Sequence, residues 1–280
     1  MTRIALIQHP CTENPGENIE KALELAEKAI EGGANIICLQ ELFHTTYFCR
    51  EIDRRFFSWA VENTGQILKL FQKLAKYGEA VFTVPFFEKK GKGMYYNSMA
   101  AIDADGSIVS HYRKMHIPDD PGFYEKYYFT PGDLGFKIAD TRYGKLGLLI
   151  CWDQWFPEAA RATALMGADI LIYPTAIGTL PEENDTDKES FLNAWQTIQR
   201  SHAIANGCFV ASINRTGVEG GTRFWGHSFV SDTFGKIIAE AGEKEQILLA
   251  DCNFDEIEEQ RQIWPFFRDR RREAYRILSE

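Results

Sequence analysis

Lys145-Leu146-Gly147-Leu148-Leu149-Ile150-Cys151-Trp152-Asp153-Gln154-Trp155-Phe156-Pro157-Glu158 decides how this chain is read. The apolar run 145–150 predicts a buried strand. Residues 157–166, rich in alanine and opened by a proline suited to a first helical turn, predict a helix. Cys151 falls between them. A strand end that turns into a helix start lets a side chain stand clear of the sheet and aims free backbone N–H groups at it, which favours a thiolate. A buried structural cysteine fits the same position.

Working outward, the pattern recurs near the N-terminus. Residues 4–8 read as a strand. Residues 18–31 carry Ile19, Ala22, Leu23, Ala26, Ala29 and Ile30 at helical spacing, and Gly32-Gly33 stops that helix. Residues 35–39 form a continuous apolar strand, as a sheet covered on both faces requires. Gly167-Ala168-Asp169-Ile170-Leu171 then repeats Gly33-Ala34-Asn35-Ile36-Ile37. This predicts two related βα halves, with chance similarity of short apolar segments as the alternative. Further strands are expected at 80–87, 96–102, 107–112, 209–213, 227–231 and 247–252, with a turn at Asp105-Gly106. No Pro- or Ser-rich linker interrupts them. The expectation is an α/β chain with two sheets covered by outer helices, in one domain, with a C-terminal extension from about residue 253.

Composition narrows the function. A net charge of −9 disfavours nucleic acid as a partner. No apolar run approaches the roughly 20 residues of a membrane span, and the N-terminus reads as a strand and not as a signal peptide. The six cysteines form no C-x-x-C pair and no histidine cluster has zinc spacing, which suits a reducing, cytoplasmic setting without a metal.

Three polar residues each close an apolar strand, where ligand sites of α/β sheets gather. They are Cys151, Glu41 after Ile36-Ile37-Cys38-Leu39-Gln40, and Lys114 after Ser110-His111-Tyr112-Arg113. Taken singly, Glu41 and Lys114 would pass for solvated surface charges. Together they suit a thiol nucleophile, a base for its proton and a cation for the oxyanion, with the Trp152 backbone N–H as a second donor. A Cys-His pair using His116 or His227 is the rival arrangement.

Three segments in chain order resemble the motifs of the nitrilase superfamily: Gln40-Glu41-Leu42-Phe43, Tyr112-Arg113-Lys114-Met115-His116, and Cys151-Trp152-Asp153 with Phe156-Pro157-Glu158. The resemblance implies a four-layer αββα sandwich, with residues 1–252 as a carbon-nitrogen hydrolase domain and 253–280 as an extension in subunit contacts. It implies Glu41 as base, Lys114 as transition-state stabiliser, Cys151 as nucleophile and Glu125 as a second glutamate. It also implies a homo-oligomer and no cofactor.

Within the superfamily, Cys151-Trp152-Asp153-Gln154-Trp155-Phe156-Pro157-Glu158, Tyr173-Pro174-Thr175-Ala176-Ile177-Gly178, His116-Ile117-Pro118-Asp119 and Phe267-Arg268-Asp269-Arg270-Arg271 are similar to the branch that hydrolyses N-carbamoylputrescine. Carbamoylases of D-amino acids carry arginines where Gln154 and Trp155 stand, and a guanidinium fork suits a substrate carboxylate. Their absence, an apolar wall at Trp152 and Trp155, and an acid for an ammonium group suit a small-molecule carbamoyl amine. Asp119, Asp120, Glu182, Glu183, Asp185 and Asp187 are candidates for that acid. The alternatives are an ω-amidase or β-ureidopropionase-like enzyme, a nitrile hydrolase, and a non-catalytic binding module on the same fold.

Overall fold

The computed structural model of the protein describes residues 1–62 and 65–279. The first half of the chain runs β1 (Thr2–Gln8), α1 (Pro15–Glu31), β2 (Ile36–Leu39), α2 (Gln66–Gly78), β3 (Val81–Gly91), β4 (Met94–Ile102) and β5 (Ile108–Arg113). A short helix α3 (Glu125–Tyr128) and β6 (Lys137–Thr141) follow. The second half runs β7 (Gly144–Leu148), α4 (Pro157–Leu165), β8 (Ile170–Pro174), β9 (Gly178–Thr179), α5 (Asp185–Asn206) and β10 (Phe209–Ile213). It continues through β11 (Thr216–Glu219), β12 (Thr222–Trp225), β13 (Phe229–Ser231) and β14 (Ile237–Glu240), then β15 (Gln246–Cys252) and α6 (Glu256–Ile263).

One sheet has the order β15-β1-β2-β3-β4-β5 and the other β14-β13-β10-β8-β7-β6. Each has three parallel strands at its centre, β1-β2-β3 or β7-β8-β10, flanked by antiparallel ones. The expected duplication is therefore present in topology, and it extends to single hydrogen bonds. Asn35 accepts from the Arg3 N–H through its side chain (2.9 Å) and returns its own N–H to the Arg3 carbonyl (2.8 Å). Asp169 does the same with Lys145, at 2.8 Å in both directions.

Side-chain alternation along the strands sets the layers. Ile4 and Leu6 point into the core between the sheets, with Leu146, Leu148, Ile170, Ile172 and Ala211 from the other sheet. Ala5 and Ile7 point the opposite way, against Ala22 and Ala26 of α1 and Phe71 of α2. On the far side Ala159, Ala160 and Ala164 of α4 and Ala203 of α5 close the core. The result is the αββα sandwich.

Several boundaries differ from the sequence expectation. β7 ends at Leu148, two residues early, and Leu149 and Ile150 continue buried outside the ladder. Helix α1 begins at Pro15 and not at 18, because Asn14 caps it by accepting from Gly16 N–H at 3.0 Å. The strand expected at 227 starts at Phe229, since His227 has φ +54°. Helices α2 and α5 were not foreseen. Beyond residue 252, α6 buries Ile257 and Gln260, and Phe267 packs against the core, while Ile263, Trp264, Phe266, Ile277 and Leu278 are exposed.

Candidate active site

Strands β2, β5 and β7 end at one side of the sandwich, and the polar residues that follow them meet there. Glu41 follows β2, Lys114 follows β5 and Cys151 follows β7 by a two-residue step. The Lys114 side chain is fully buried; its Nζ donates to Glu41 Oε1 at 2.9 Å and to Glu125 Oε2 at 2.7 Å. A buried ammonium needs such partners, because desolvating an unpaired charge costs several kcal/mol, on the order of a domain's whole stability. Here two carboxylates flank one cation, and they hold Lys114 protonated well above its ordinary value despite burial.

Glu41 Oε1 also accepts from Asn97 Nδ2 at 2.7 Å, while its buried Oε2 has no hydrogen-bond partner. That oxygen is free to receive a proton. Asn97 was missed by the sequence reading, although an asparagine inside the apolar strand Tyr96-Asn97-Ser98-Met99-Ala100 is a signal that some buried group needs its amide. Its carbonyl accepts the Lys114 N–H at 2.8 Å, so one residue fixes both ends of the Glu41–Lys114 pair.

Cys151 lies at a sharp turn with φ +44°, a left-handed conformation that costs a non-glycine residue about 1–3 kcal/mol. Asp153 holds this turn. Its Oδ2 accepts from Ile150 N–H at 2.9 Å and from the Tyr112 hydroxyl at 2.7 Å; its Oδ1 accepts from His116 N–H at 3.1 Å. The turn that carries the thiol is thereby tied to the segment that carries Lys114. Arg113 adds a second anchor to that segment through Glu88, with Nη2 to Oε1 at 2.5 Å. Burial opposes ionisation of Glu88, but bonds from Arg113, His111 and Ser98 hold it at about 2. Gly132 packs so closely that a Cβ there would overlap the Arg113 carbonyl, and its N–H donates to the Lys114 carbonyl at 2.8 Å.

At Cys151 the pull of a helix start toward thiolate is outweighed. Burial comes first and the negative charge of Glu41 second, and together they push the thiol well above its ordinary value against the pull of Lys114. The helical turn that starts at Cys151 is one short 3-10 turn, too little to reverse this. The resting group is a thiol, so attack needs a base. Burial likewise raises Glu125 to about 7, against Lys114 and the Tyr47 hydroxyl, which donates to Oε1 at 2.8 Å.

A cavity of about 500 Å³ opens onto Cys151 and Glu125, walled by Trp152, Trp155, Phe123, Ile177, Leu180 and Trp225. Of the candidate acids, Asp120, Glu182 and Glu183 line it; Asp119, Asp185 and Asp187 do not. No lysine, arginine or histidine is among the lining residues. Gln154 also lines it, buried, with Oε1 fixed by Trp195 Nε1 at 2.9 Å and Thr175 Oγ1 at 3.1 Å, and Nε2 without a partner. The rival histidines are engaged elsewhere: His116 pairs with Asp153 at 2.7 Å and stacks on Phe156, and His227 pairs with Glu240. Among the described residues no cluster of His, Cys, Asp and Glu could hold a metal ion, and no helix is long and apolar enough to cross a membrane.

Residues 3–262 match the family model of the carbon-nitrogen hydrolases. The chain belongs to that family. N-carbamoylputrescine amidase of Solanum lycopersicum is 43% identical over 99% of this chain and 95% of its own length. Citrullinase of Francisella tularensis is 44% identical, covering 98% of this chain and 96% of that one. The crystal structure of a carbon-nitrogen hydrolase from Helicobacter pylori G27 superposes with a TM-score of 0.97, at 46% identity, over 100% of this chain and 98% of that one. This carbon-nitrogen hydrolase thus shares nearly its full length with enzymes named for two different carbamoyl compounds.

Proposed function

We propose that this hydrolase acts on N-carbamoylputrescine, releasing putrescine, carbon dioxide and ammonia through a thioester on Cys151, as a step of polyamine synthesis. One observation carries the substrate reading: the cavity combines aromatic walls with Asp120, Glu182 and Glu183 and has no basic side chain in its lining. An alkyl chain ending in ammonium suits such a wall, whereas a terminal carboxylate would be desolvated there without a cation. The curated N-carbamoylputrescine amidases support the same choice.

In this reading the Cys151 sulfur attacks the carbamoyl carbon while Glu41 Oε2 takes the thiol proton. Lys114 and the Trp152 N–H, unpaired at the start of its turn, hold the oxyanion. The C–N bond to the terminal nitrogen breaks, ammonia leaves with the proton from Glu41, and a substituted carbamoyl thioester remains. Glu41 then deprotonates water, which attacks the thioester, and the thiol is restored. The carbamic acid released decomposes to carbon dioxide and the amine. Glu125 keeps Lys114 in place.

Citrulline is the second reading, favoured by the citrullinase similarity. Its α-ammonium suits the same acids, but its α-carboxylate finds no cation. A panel of N-carbamoylputrescine, citrulline and N-carbamoyl-β-alanine tests the choice. We expect kcat/KM for the first to exceed the others by about a hundredfold, near the 2.7 kcal/mol set by an unpaired buried group. A preference for either carbamoyl acid would overturn it.

We assign residues 253–280 to contacts between copies of the chain, given the exposed Ile263, Trp264, Phe266 and Leu278. Light scattering of a chain ending at 262 should then report a smaller assembly. Six free, buried cysteines suit a reducing cytoplasm.

A further inference from the structure

The loop after β2 carries both Glu41 and Tyr47, and it is held from behind by a charged pair outside the reacting centre. Arg215, fully buried after β10, donates from Nη2 to the carbonyls of Glu41 (2.9 Å) and Leu42 (3.1 Å). Its Nη1 donates to the Thr45 carbonyl at 3.2 Å and to both oxygens of Glu219 at 2.8 and 2.9 Å. Glu219 Oε2 in turn accepts the Tyr47 N–H at 2.5 Å, and the Tyr47 hydroxyl reaches Glu125. Leu42, next to Glu41, is held at φ +50°.

We propose that Arg215, Glu219 and Tyr47 form a positioning unit that sets Glu41 and Glu125 against Lys114. The guanidinium fork binds three carbonyls of one loop, those of Glu41, Leu42 and Thr45, a geometry that lysine's single ammonium does not reproduce. The carboxylate of Glu219 neutralises the fork and fixes the start of Tyr47. One end of the unit thus orients the base that faces the thiol. The other end places a hydroxyl on the Glu125 oxygen that Lys114 leaves free. Such a buried ion pair contributes little net stability compared with an apolar replacement, so its use here is geometric.

The pair comes from the second half of the chain and the loop from the first, which links the two halves behind the site. Glu125 is faced by Lys114 after β5, by Glu41 and Tyr47 on the loop after β2, by Cys49 further along that loop, and by Cys151 after β7. Among these, the Tyr47 hydroxyl and the Lys114 ammonium donate to the carboxylate. Removing the hydroxyl leaves the anion with one donor fewer and makes it easier to protonate.

The inference rests on the proposed reaction for its kinetic readout, so a second readout is independent of substrate. Tyr47→Phe removes one oxygen and preserves the ring contacts with Phe123 and Phe224. We expect kcat to fall about tenfold with KM within about twofold, and the acid limb of the kcat profile to move to higher pH. The pH profile of Cys151 alkylation by iodoacetamide should shift in the same direction. Glu219→Gln should reproduce the kcat loss, and Arg215→Lys should exceed it. Wild-type kcat in Tyr47→Phe, or an unmoved acid limb in both turnover and alkylation, would overturn the proposal. If wild-type protein fails to turn over carbamoyl amines, the substrate reading fails alone, and the alkylation profile still decides the positioning role.

Discussion

The two halves of the molecule repeat one strand plan and differ at the strand ends. Aligning Ile36 with Ile170, and Ile4 with Leu146 across the matching parallel pairs, brings His9 opposite Cys151 and Glu41 opposite Thr175. His9 is buried, and desolvation lowers it to about 4, so it stays neutral. Gln40 binds its backbone from both sides, with His9 N–H to Oε1 and Nε2 to the His9 carbonyl at 2.8 Å each. Thr175 spends its hydroxyl on Gln154. The first half therefore supplies the carboxylate and the ammonium, and the second supplies the thiol. Neither half holds a complete set, so the site exists only when the two sheets are packed together.

The largest contrast should come from the aligned pair itself. Cys151→Ala should abolish turnover while circular dichroism and Tm stay near wild type. His9→Ala, at the matching position, should lower stability by about 1–3 kcal/mol and leave kcat within a few-fold. Loss of turnover in both variants would break the assignment of the nucleophile to the second half alone.

Next in size is Glu125→Gln, which should cut kcat about a hundredfold by loosening Lys114. Its stability should also depend less on pH. The carboxyl is raised from 4.5 to about 7 in the folded protein, so between these values the native state binds the extra proton. The contribution of this group is complete below 4.5 and is lost as pH rises through 7. Thermal scans across that window should show a shallower decline in Glu125→Gln than in wild type. An equal decline would place the surplus charge elsewhere.

The smallest effects should fall on the shared scaffold. Asn35→Ala and Asp169→Ala each remove one matched side-chain bond, and each should cost about 1 kcal/mol with unchanged kcat. Unequal costs would mean that the two turns bear different loads despite their common geometry.

The fold was legible in the sequence where apolar runs and glycine stops are unambiguous, as at Gly33-Ala34-Asn35-Ile36-Ile37 and its repeat. It was less legible where polar faces dilute the pattern. Helix α5 opens with Asp185, Asp187, Lys188 and Glu189, and its buried stripe of Trp195, Gln199, His202, Ala203 and Asn206 has helical spacing but is mostly polar, so its apolar period is weak. Among the residues of the candidate site, Glu41, Lys114 and Cys151 stood out in the sequence because each ends an apolar strand. Asn97, Asp153 as a clamp, and Arg215 were not, since their partners lie 56, 41 and 174 residues away. Asp119 was a reasonable candidate beside Asp120, but the loop lines the cavity with Pro118, Asp120 and Pro121 and leaves Asp119 out.

Mass spectrometry of acid-quenched protein during turnover of N-carbamoylputrescine tests the convergence of the halves most directly. A covalent adduct on the peptide containing Cys151, with the mass of the substrate less one ammonia, is the expected result. Turnover with that peptide unmodified, or with the adduct on another cysteine, would contradict it.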